Sequence, residues 1–144
     1  MGRNVEILMG LDYGDRTVGV AASDLLLMTA QGVETIRRTS NKDDLRRLGE
    51  LVAQYEATTF VIGLPKNMDG TEGSRAQLCR AFADRLHELT GLETVMWDER
   101  RTTVDAHRIL TQAGKHGKKR KQVVDAVAAS LILEGYLEYL NKSC

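Results

Sequence analysis

The sequence predicts an α/β fold, a single domain in which a mixed β-sheet carries helices on its faces. Three short apolar segments separated by turn residues come first, and helical and apolar segments then alternate to the end of the chain. Neighbouring apolar segments joined by tight turns form antiparallel hairpins, whereas helical crossovers join parallel strands. A length of 144 residues corresponds to one domain, residues 1–144, and the sequence contains no internal repeat.

The first half of the sheet is predicted from three strands. The apolar run Ile7–Leu11 ends at Asp12, and a Gly-containing turn follows. Thr17–Ala22 can then return antiparallel, and Gln31–Arg37 is typical of a third strand. The sequence Leu25–Met28 between them has neither Gly nor Pro, so it predicts no particular turn type.

Helices and strands alternate after the third strand. Ser40 is placed to cap a helix that extends to about Ala57, since apolar residues repeat there at helical spacing. Phe60–Leu64 predicts a fourth strand. We expect Ser74 to cap a second helix and Gly91 to end it. The expected buried residues of that helix are Leu78, Phe82, Leu86 and Leu89.

The chain closes with a fifth strand, Thr94–Trp97, and two helices. A short helix is predicted from Thr103 to about Ala113 and a long one from Gln122 to about Leu140, with a basic loop at residues 115–121 between them. At 100° per residue one arc of the long helix should pack on the sheet. That arc consists of Asp125, Ala128, Ala129, Ile132, Gly135, Tyr136 and Tyr139.

Three carboxylates are candidates for chemistry. Asp125 lies within the small and apolar arc, where a carboxylate loses several kcal/mol of hydration unless it is compensated. The helix dipole, the preceding lysines or a metal could each compensate it. Asp12 and Glu99 each follow a strand, where an acid can also serve as a turn or cap residue. Because clustered carboxylates repel, convergence of all three would indicate a counter-ion such as Mg²⁺ or Mn²⁺.

Composition excludes several other classes of protein. The 20 basic and 20 acidic side chains give zero net charge, unlike the basic surface usual for nucleic-acid binding. Cys79 and Cys144 stand in no zinc-binding spacing, and no Ser/His/Asp or Cys/His set is recognisable. No leader is recognisable and no apolar segment approaches about 20 residues, so we expect a soluble, cytoplasmic protein with no membrane partner.

Four ordered blocks of the sequence resemble the YqgF/RuvX family of bacterial RuvC-like nucleases, which have the ribonuclease H-like fold. Together they extend over essentially the whole chain. The blocks are Gly10–Gly14 with Arg16, Gly19–Ala21, Ser23 and Asp24; Gly63–Pro65 with Gly70 and Gly73; Trp97–Arg100 with Thr102 and Thr103; and Lys118–Lys121 with Asp125, Ala128, Ala129, Ile132 and Leu133.

The resemblance implies a five-stranded sheet of order 3-2-1-4-5 whose second strand is antiparallel to the rest. It also implies that Asp12, Glu99 and Asp125 are catalytic residues that hold Mg²⁺ or Mn²⁺. Typical ribonuclease H-like enzymes carry the second acid on the fourth strand, which ends here in Gly-Leu-Pro. Glu99 is taken to substitute for it, with Asp98 as the reserve ligand, since strand parity decides which of the two points into the site.

The family implies divalent-metal-dependent hydrolysis of phosphodiester bonds in structured nucleic acid. It is associated with 5′-end maturation of precursor 16S rRNA, which we favour, and with resolution of four-way DNA junctions, for which a homodimer would be suited. A non-catalytic RNA- or ribosome-binding factor that keeps the acids for structure is a third hypothesis. An actin-like ATPase is disfavoured, since its site needs two such domains.

The zero net charge conceals a basic segment. Residues 100–121 hold eight Lys and Arg side chains and one acid, so the remainder of the chain is acidic. Backbone phosphates are the ligands expected for these side chains and for other basic residues near the acids. The expected nucleic-acid contacts are Arg16, Lys66, Arg75, Arg100, Arg101, Lys115, Lys118, Lys119, Arg120 and Lys121.

Overall fold

A computed structural model describes residues 6–101 and 117–142 of the chain, with side chains of the last helix from residue 126 onward. Five strands form one sheet of order β3-β2-β1-β4-β5. The strands are β1 (Leu8–Tyr13), β2 (Thr17–Ser23), β3 (Ala30–Arg37), β4 (Thr59–Leu64) and β5 (Glu93–Asp98). The helices are α1 (Asn41–Tyr55), α2 (Ser74–Thr90) and α3 (Gly117–Lys142), and a 3₁₀ turn occupies Glu99–Arg101.

The strand order and orientations confirm the prediction of a ribonuclease H-like sheet. β2 is antiparallel to both β1 and β3, whereas β1, β4 and β5 are parallel to one another. The carboxyl ends of β1, β4 and β5 therefore lie together, and we call this side the C-terminal edge. Met9 at the start of β1 pairs with Ala22 at the end of β2, so the β2–β3 hairpin lies at the opposite edge.

Each face of the sheet has its own apolar layer, because the central strands are buried on both faces. Met9 and Leu11 of β1 pack with Phe82 of α2 and other residues of α1 and α2. On the other face Val61 and Trp97 pack with α3. The alternation of strand side chains thus decides which residues face α3.

Helix α1 begins and ends as local chemistry requires. The Ser40 Oγ accepts a hydrogen bond of 3.1 Å from the Asp43 backbone N–H, which confirms the predicted N-cap. The helix ends at Tyr55, slightly before the predicted Ala57, because Glu56 adopts a left-handed conformation with φ 56°.

The prediction for α2 was wrong at its start and on part of its buried face. Gly73 is the N-cap and Ser74 is the first helical residue, although Gly91 ends the helix as predicted. Leu78 and Leu89 are 50% and 57% exposed. The buried residues are Ala76, Cys79, Phe82, Ala83 and Leu86. The buried face thus combines Phe82 and Leu86 with three small residues, and Leu78 and Leu89 lie outside it.

Helix α3 begins at Gly117, five residues before the predicted Gln122, so the segment Lys118–Lys121 is helical rather than part of a loop. The predicted helix from Thr103 to Ala113, and Lys115, lie outside the described residues. Ala129 and Ile132 are buried as predicted, but Tyr139 is 43% exposed.

Helix α3 crosses the sheet over glycines. A Cβ atom at Gly10 would lie 2.9 Å from the Leu133 Cβ and 3.0 Å from the Ala129 carbonyl oxygen, so a side chain there would push the helix away. At Gly32 a Cβ would lie 3.0 Å from that of Ala126. These close approaches fix α3 against β1 and β3. Within the described ranges, no helix is long and apolar enough to cross a bilayer.

Candidate active site

Asp12 and Glu99 lie at the C-terminal edge on the face of the sheet that α3 covers. Asp12 is two residues after Gly10, which α3 contacts directly, so both belong to the same face of β1. Glu99 follows β5 two residues after Trp97, which is buried against α3. Both acids are half-buried. Backbone alternation therefore brings the two predicted acids to one side of the sheet.

Gly63 makes room for Glu99. It pairs with Trp97 across β4 and β5, and a Cβ atom added to it would lie 3.1 Å from both Cγ and Cδ of Glu99 and 2.6 Å from Cδ1 of Ile132. The Glu99 side chain therefore extends over β4, toward the strand that carries Asp12. β4 itself carries no acid, and Gly63 leaves open the space above this strand that the Glu99 side chain occupies.

The two acids influence each other electrostatically. Burial, and after it the negative charge of Asp12, raise the pKa of Glu99 to about 7, and the nearby Arg75 guanidinium partly offsets this. Near neutral pH, Glu99 is therefore poised between its acid and its carboxylate. A cation bound beside Glu99, in addition to the Arg75 guanidinium, would stabilise the carboxylate form.

Asp98 is held by a different partner. Its carboxylate accepts hydrogen bonds from the Arg100 backbone N–H at 2.9 Å and from Arg100 Nη2 at 2.7 Å. These bonds lower the pKa of Asp98 below its usual range. The reserve ligand thus helps to form the 3₁₀ turn that presents Glu99.

Asp125 lies in α3 one helical turn before Ala129, which contacts β1 at Gly10. Its side chain lies outside the described residues. Among the side chains that are described, no group of three His, Cys, Asp or Glu residues could hold a metal ion. The structure therefore brings Asp12 and Glu99 together and describes only the backbone position of Asp125.

The chemistry of this pair fits a divalent cation with a preference for oxygen. Both groups are carboxylates, and a bound cation would offset the two causes that raise the pKa of Glu99, which are burial and then the negative charge of Asp12. Mg²⁺ and Mn²⁺ are bound mainly by carboxylate oxygens and water, whereas zinc and copper favour His and Cys.

Arg75 supports the β1–β2 turn. Its guanidinium pairs with Asp15 and donates to the Tyr13 carbonyl oxygen, and it lies 5.2 Å from the centre of the Tyr13 ring. These contacts fix the residue that directly follows Asp12. The predicted phosphate contact thus has internal partners that hold the site.

Arg38 was missed at the sequence level and performs a similar role. It donates to Asp44 Oδ2 at 2.9 Å, to the Gly14 carbonyl oxygen at 3.1 Å and to Asn41 Oδ1 at 2.8 Å. Its guanidinium lies 4.5 Å from the centre of the Tyr13 ring. A signal was present, since Asp44 shares a helical stripe with Leu48 and Leu51, and a carboxylate there requires a partner.

Two more predicted phosphate contacts have internal partners. Arg100 binds Asp98 and also lies 3.4 Å from the carbonyl oxygen of Met68. The Arg101 guanidinium lies 4.6 Å and 4.8 Å from the ring centres of Trp97 and Tyr139. Arg16 is exposed and Lys66 is half-buried. The side chains of the remaining predicted contacts, Lys115, Lys118, Lys119, Arg120 and Lys121, lie outside the described residues.

Sequence comparison identifies relatives along nearly the whole chain. A family model described as "RuvX: Holliday junction resolvase" matches residues 6–139. A protein of Agathobacter rectalis named "Putative pre-16S rRNA nuclease" is 49% identical over 139 residues, which cover 94% of this chain and 97% of that protein. A protein of Halothermothrix orenii with the same name is 51% identical over 135 residues, with 94% and 96% covered.

Solved structures with the same fold include two resolvases. RuvC of T. thermophilus in complex with a Holliday junction substrate aligns with a TM-score of 0.63 at 10% identity, covering 93% of this chain and 96% of that one. The fowlpox virus Holliday junction resolvase aligns with a TM-score of 0.53 at 13% identity, covering 92% and 99%. These similarities establish the ribonuclease H-like fold, and the match of the family model together with relatives at about half identity shows that the chain belongs to the RuvX family.

Proposed function

We propose that this chain is a divalent-metal-dependent nuclease that hydrolyses phosphodiester bonds during 5′-end processing of precursor 16S rRNA. The observation that carries the proposal is that the Asp12 and Glu99 carboxylates lie near each other at the C-terminal edge, where Gly63 leaves space for the Glu99 side chain. Membership of the RuvX family and the names of its relatives support a nuclease, and those names favour rRNA as the substrate.

In this proposal Asp12, Glu99 and Asp125 hold Mg²⁺ or Mn²⁺. When bound, such an ion lowers the pKa of an attacking water and offsets negative charge on the phosphoryl oxygens. Asp12 lies on β1 and Glu99 follows β5, so the two carboxylates approach the site from opposite sides of β4. Arg75 and Arg38 act as positioning residues, since both hold the Tyr13–Gly14 backbone that follows Asp12.

Substrate contacts would come from the same edge. Arg16 is exposed in the turn after β1, and Lys66 follows β4. Their ammonium and guanidinium groups can bind backbone phosphates without reading sequence. Lys115 and the helical segment Lys118–Lys121 would add further phosphate contacts.

Resolution of a four-way DNA junction is the alternative substrate assignment. The structural similarity to RuvC bound to a Holliday junction substrate favours it. A homodimer would then place two sites about a two-fold axis, as symmetric cleavage of a junction requires. The same three acids would serve both substrates, so substrate preference has to be measured directly.

The test is cleavage of a precursor 16S rRNA fragment and of a four-way DNA junction by purified protein in Mg²⁺ or Mn²⁺. We expect Asp12→Asn, Glu99→Gln and Asp125→Asn each to lose at least about 100-fold in kcat while binding is largely kept. Asp84→Asn, an exposed acid on α2, is the matched control and should cleave within twofold of the wild type.

The outcomes separate the hypotheses. Faster cleavage of the RNA supports rRNA processing, and faster cleavage of the junction supports resolution. Wild-type turnover by Glu99→Gln would contradict the site. Tight binding of RNA with no cleavage by the wild type would favour a non-catalytic RNA- or ribosome-binding factor.

A further inference from the structure

Trp97, Tyr136 and Tyr139 form an aromatic cluster between β5 and the C-terminal half of α3. The chain contains one Trp and four Tyr residues, and that tryptophan meets two of the tyrosines here. The ring centre of Trp97 lies 5.7 Å from that of Tyr136 and 5.7 Å from that of Tyr139. Trp97 is buried and Tyr139 is 43% exposed, so the aromatic cluster reaches the surface at Tyr139.

Arg101 lies against the two ends of this cluster. Its guanidinium is 4.6 Å from the centre of the Trp97 ring and 4.8 Å from that of Tyr139. A planar guanidinium is attracted to aromatic faces both as a cation and by stacking. The Arg101 side chain is nevertheless exposed. One side of its guanidinium is therefore held by two rings, and the group remains accessible to a ligand from solvent.

Trp97 supplies its ring to the cluster at the cost of a hydrogen bond. Its Nε1 is buried and has no hydrogen-bond partner within the part of the chain that the structure describes. A Cβ atom at Gly135 would lie 3.1 Å from this nitrogen, so the indole lies directly against α3. A buried donor without a partner is unfavourable. The packing thus keeps the ring face beneath Arg101 rather than satisfying the indole N–H.

The charge of Arg101 is not used in an ion pair of the described structure. Across residues 6–101 and 126–142, Arg100 pairs with Asp98, but no carboxylate pairs with Arg101. Arg101 also belongs to the same 3₁₀ turn as Glu99, two residues earlier. A nucleic-acid strand bound at Glu99 would therefore pass beside an arginine whose plane is fixed and whose charge is available.

We propose that Arg101 is a stacking platform for an unpaired nucleobase of the strand that the candidate active site binds. Guanidinium planes and aromatic rings bind the faces of unstacked bases. Because Trp97 and Tyr139 already hold the guanidinium, little side-chain freedom is lost when a base stacks on it. This role rests on the proposed nuclease function and replaces the expected phosphate contact of Arg101 with a contact to a base.

The first test detects the base through Trp97. The ligands are a single-stranded fragment of precursor 16S rRNA and a DNA strand of the same sequence, bound to an Asp12→Asn variant so that cleavage does not interfere. Since Trp97 is the chain's one tryptophan, its emission reports on the cluster. We expect binding to quench this emission, and an abasic residue at one position to remove most of the quenching. The strand that shows the abasic effect identifies RNA or DNA as the source of the base.

The second test separates stacking from a phosphate contact. In the same background Arg101→Lys keeps the charge and removes the plane. We expect it to bind the intact strand about tenfold more weakly, to bind the abasic strand within twofold of its parent, and to leave the salt dependence unchanged. Tyr139→Phe should bind the intact strand within twofold of the parent, and Tyr139→Ala several-fold more weakly. Arg85→Lys, an exposed cation on α2, is the matched control and should change neither affinity.

Equal effects of Arg101→Lys on the intact and abasic strands, or no effect on either, would overturn the platform. Because Arg101 is exposed, this variant should unfold as its parent does, and it keeps the test valid if Tyr139→Ala is destabilised.

The outcomes distinguish this proposal from the proposed function. A base-dependent loss in Arg101→Lys, with no cleavage by the wild type, would keep the platform and refute the nuclease. Cleavage by the wild type with no base-dependent loss would keep the nuclease and refute the platform, leaving Arg101 as a packing partner of Trp97. Absence of both binding and cleavage with either strand would refute both.

Discussion

At the scale of single residues, the candidate site depends on how Glu99, which follows β5, packs over Gly63 of the neighbouring strand β4. Gly63 has no side chain, and Glu99 occupies the space above it from the neighbouring strand. Strand parity alone allowed either Asp98 or Glu99 to face the site. Trp97 resolves this, since it is buried against α3 and Glu99, two residues later, lies on the same face. The parity could be predicted from the sequence, but the face of Trp97 could not.

Gly63→Ala tests this packing. The added Cβ would meet Ile132 and Glu99, so we expect the free energy of unfolding to fall by about 1–3 kcal/mol. We also expect the Glu99 side chain to be displaced and cleavage to be slower. Gly49→Ala in α1 meets nothing within 4 Å and should stabilise the protein by about 0.5–1 kcal/mol, since alanine favours a helix. Urea unfolding measures both, and equal effects of the two substitutions would contradict this explanation.

The pH dependence of stability should reveal Glu99. Its folded pKa, about 7, is above the ordinary value of 4.5, so the folded state retains a proton that the unfolded state has released between these pH values. Stability from this group is therefore present at low pH and is lost as pH rises from about 4.5 to 7, by on the order of 2 kcal/mol. Urea unfolding in EDTA from pH 5 to 8 should show Glu99→Gln gaining on the wild type by that amount. A constant difference would contradict the shifted pKa.

At the scale of elements, the N-terminus of α1 is coupled to the turn after β1. Asp44 is 1% exposed and pairs with Arg38, which in turn donates to the Gly14 carbonyl oxygen. The sequence predicted the cap at Ser40 but not this network, because Arg38 and Gly14 are brought together only by the pairing of the strands. The buried face of α2 also differs from the prediction, because Ala76, Cys79 and Ala83 are buried there whereas Leu78 and Leu89 are exposed.

Asp44→Ala tests this coupling. Removing one partner of a buried pair leaves Arg38 partly unpaired, so we expect a loss of about 3 kcal/mol and weaker cleavage as the turn after Asp12 loosens. Asp43→Ala, one residue earlier and half exposed, should cost less than about 0.5 kcal/mol. Thermal or urea unfolding of the two variants provides the comparison, and similar losses would mean that the network contributes little.

At the scale of the whole molecule, the zero net charge is the sum of a basic segment, residues 100–121, and an acidic remainder of the sequence. The overall topology followed from the order of apolar segments together with the family resemblance. The start of α3 did not, because Lys118–Lys121 lacks apolar periodicity and yet is helical. A net charge of zero describes only the sum over all side chains, so the basic segment can still attract phosphates locally.

Replacing Lys118, Lys119, Arg120 and Lys121 by Gln tests the basic segment. If these side chains contact phosphates, the slope of log binding constant against log salt concentration should fall by about 2–4 units, and affinity at low salt should fall with it. Arg85→Gln, an exposed cation on α2, should change the slope by less than about one unit. Fluorescence anisotropy with the rRNA fragment at several salt concentrations measures both, and an unchanged slope in the quadruple variant would remove the segment from the interface.

Asp12, Glu99 and Asp125 are proposed to hold a divalent cation, and Mn²⁺ binding measured by electron paramagnetic resonance tests this site most directly. At pH 8 the wild type should deplete the signal of free Mn²⁺, and Asp12→Asn, Glu99→Gln and Asp125→Asn should each weaken binding at least about tenfold. Asp98→Asn, whose carboxylate is already bound by Arg100, should remain within a few-fold of the wild type. Mn²⁺ binding by Asp12→Asn or Glu99→Gln with wild-type affinity would contradict the account.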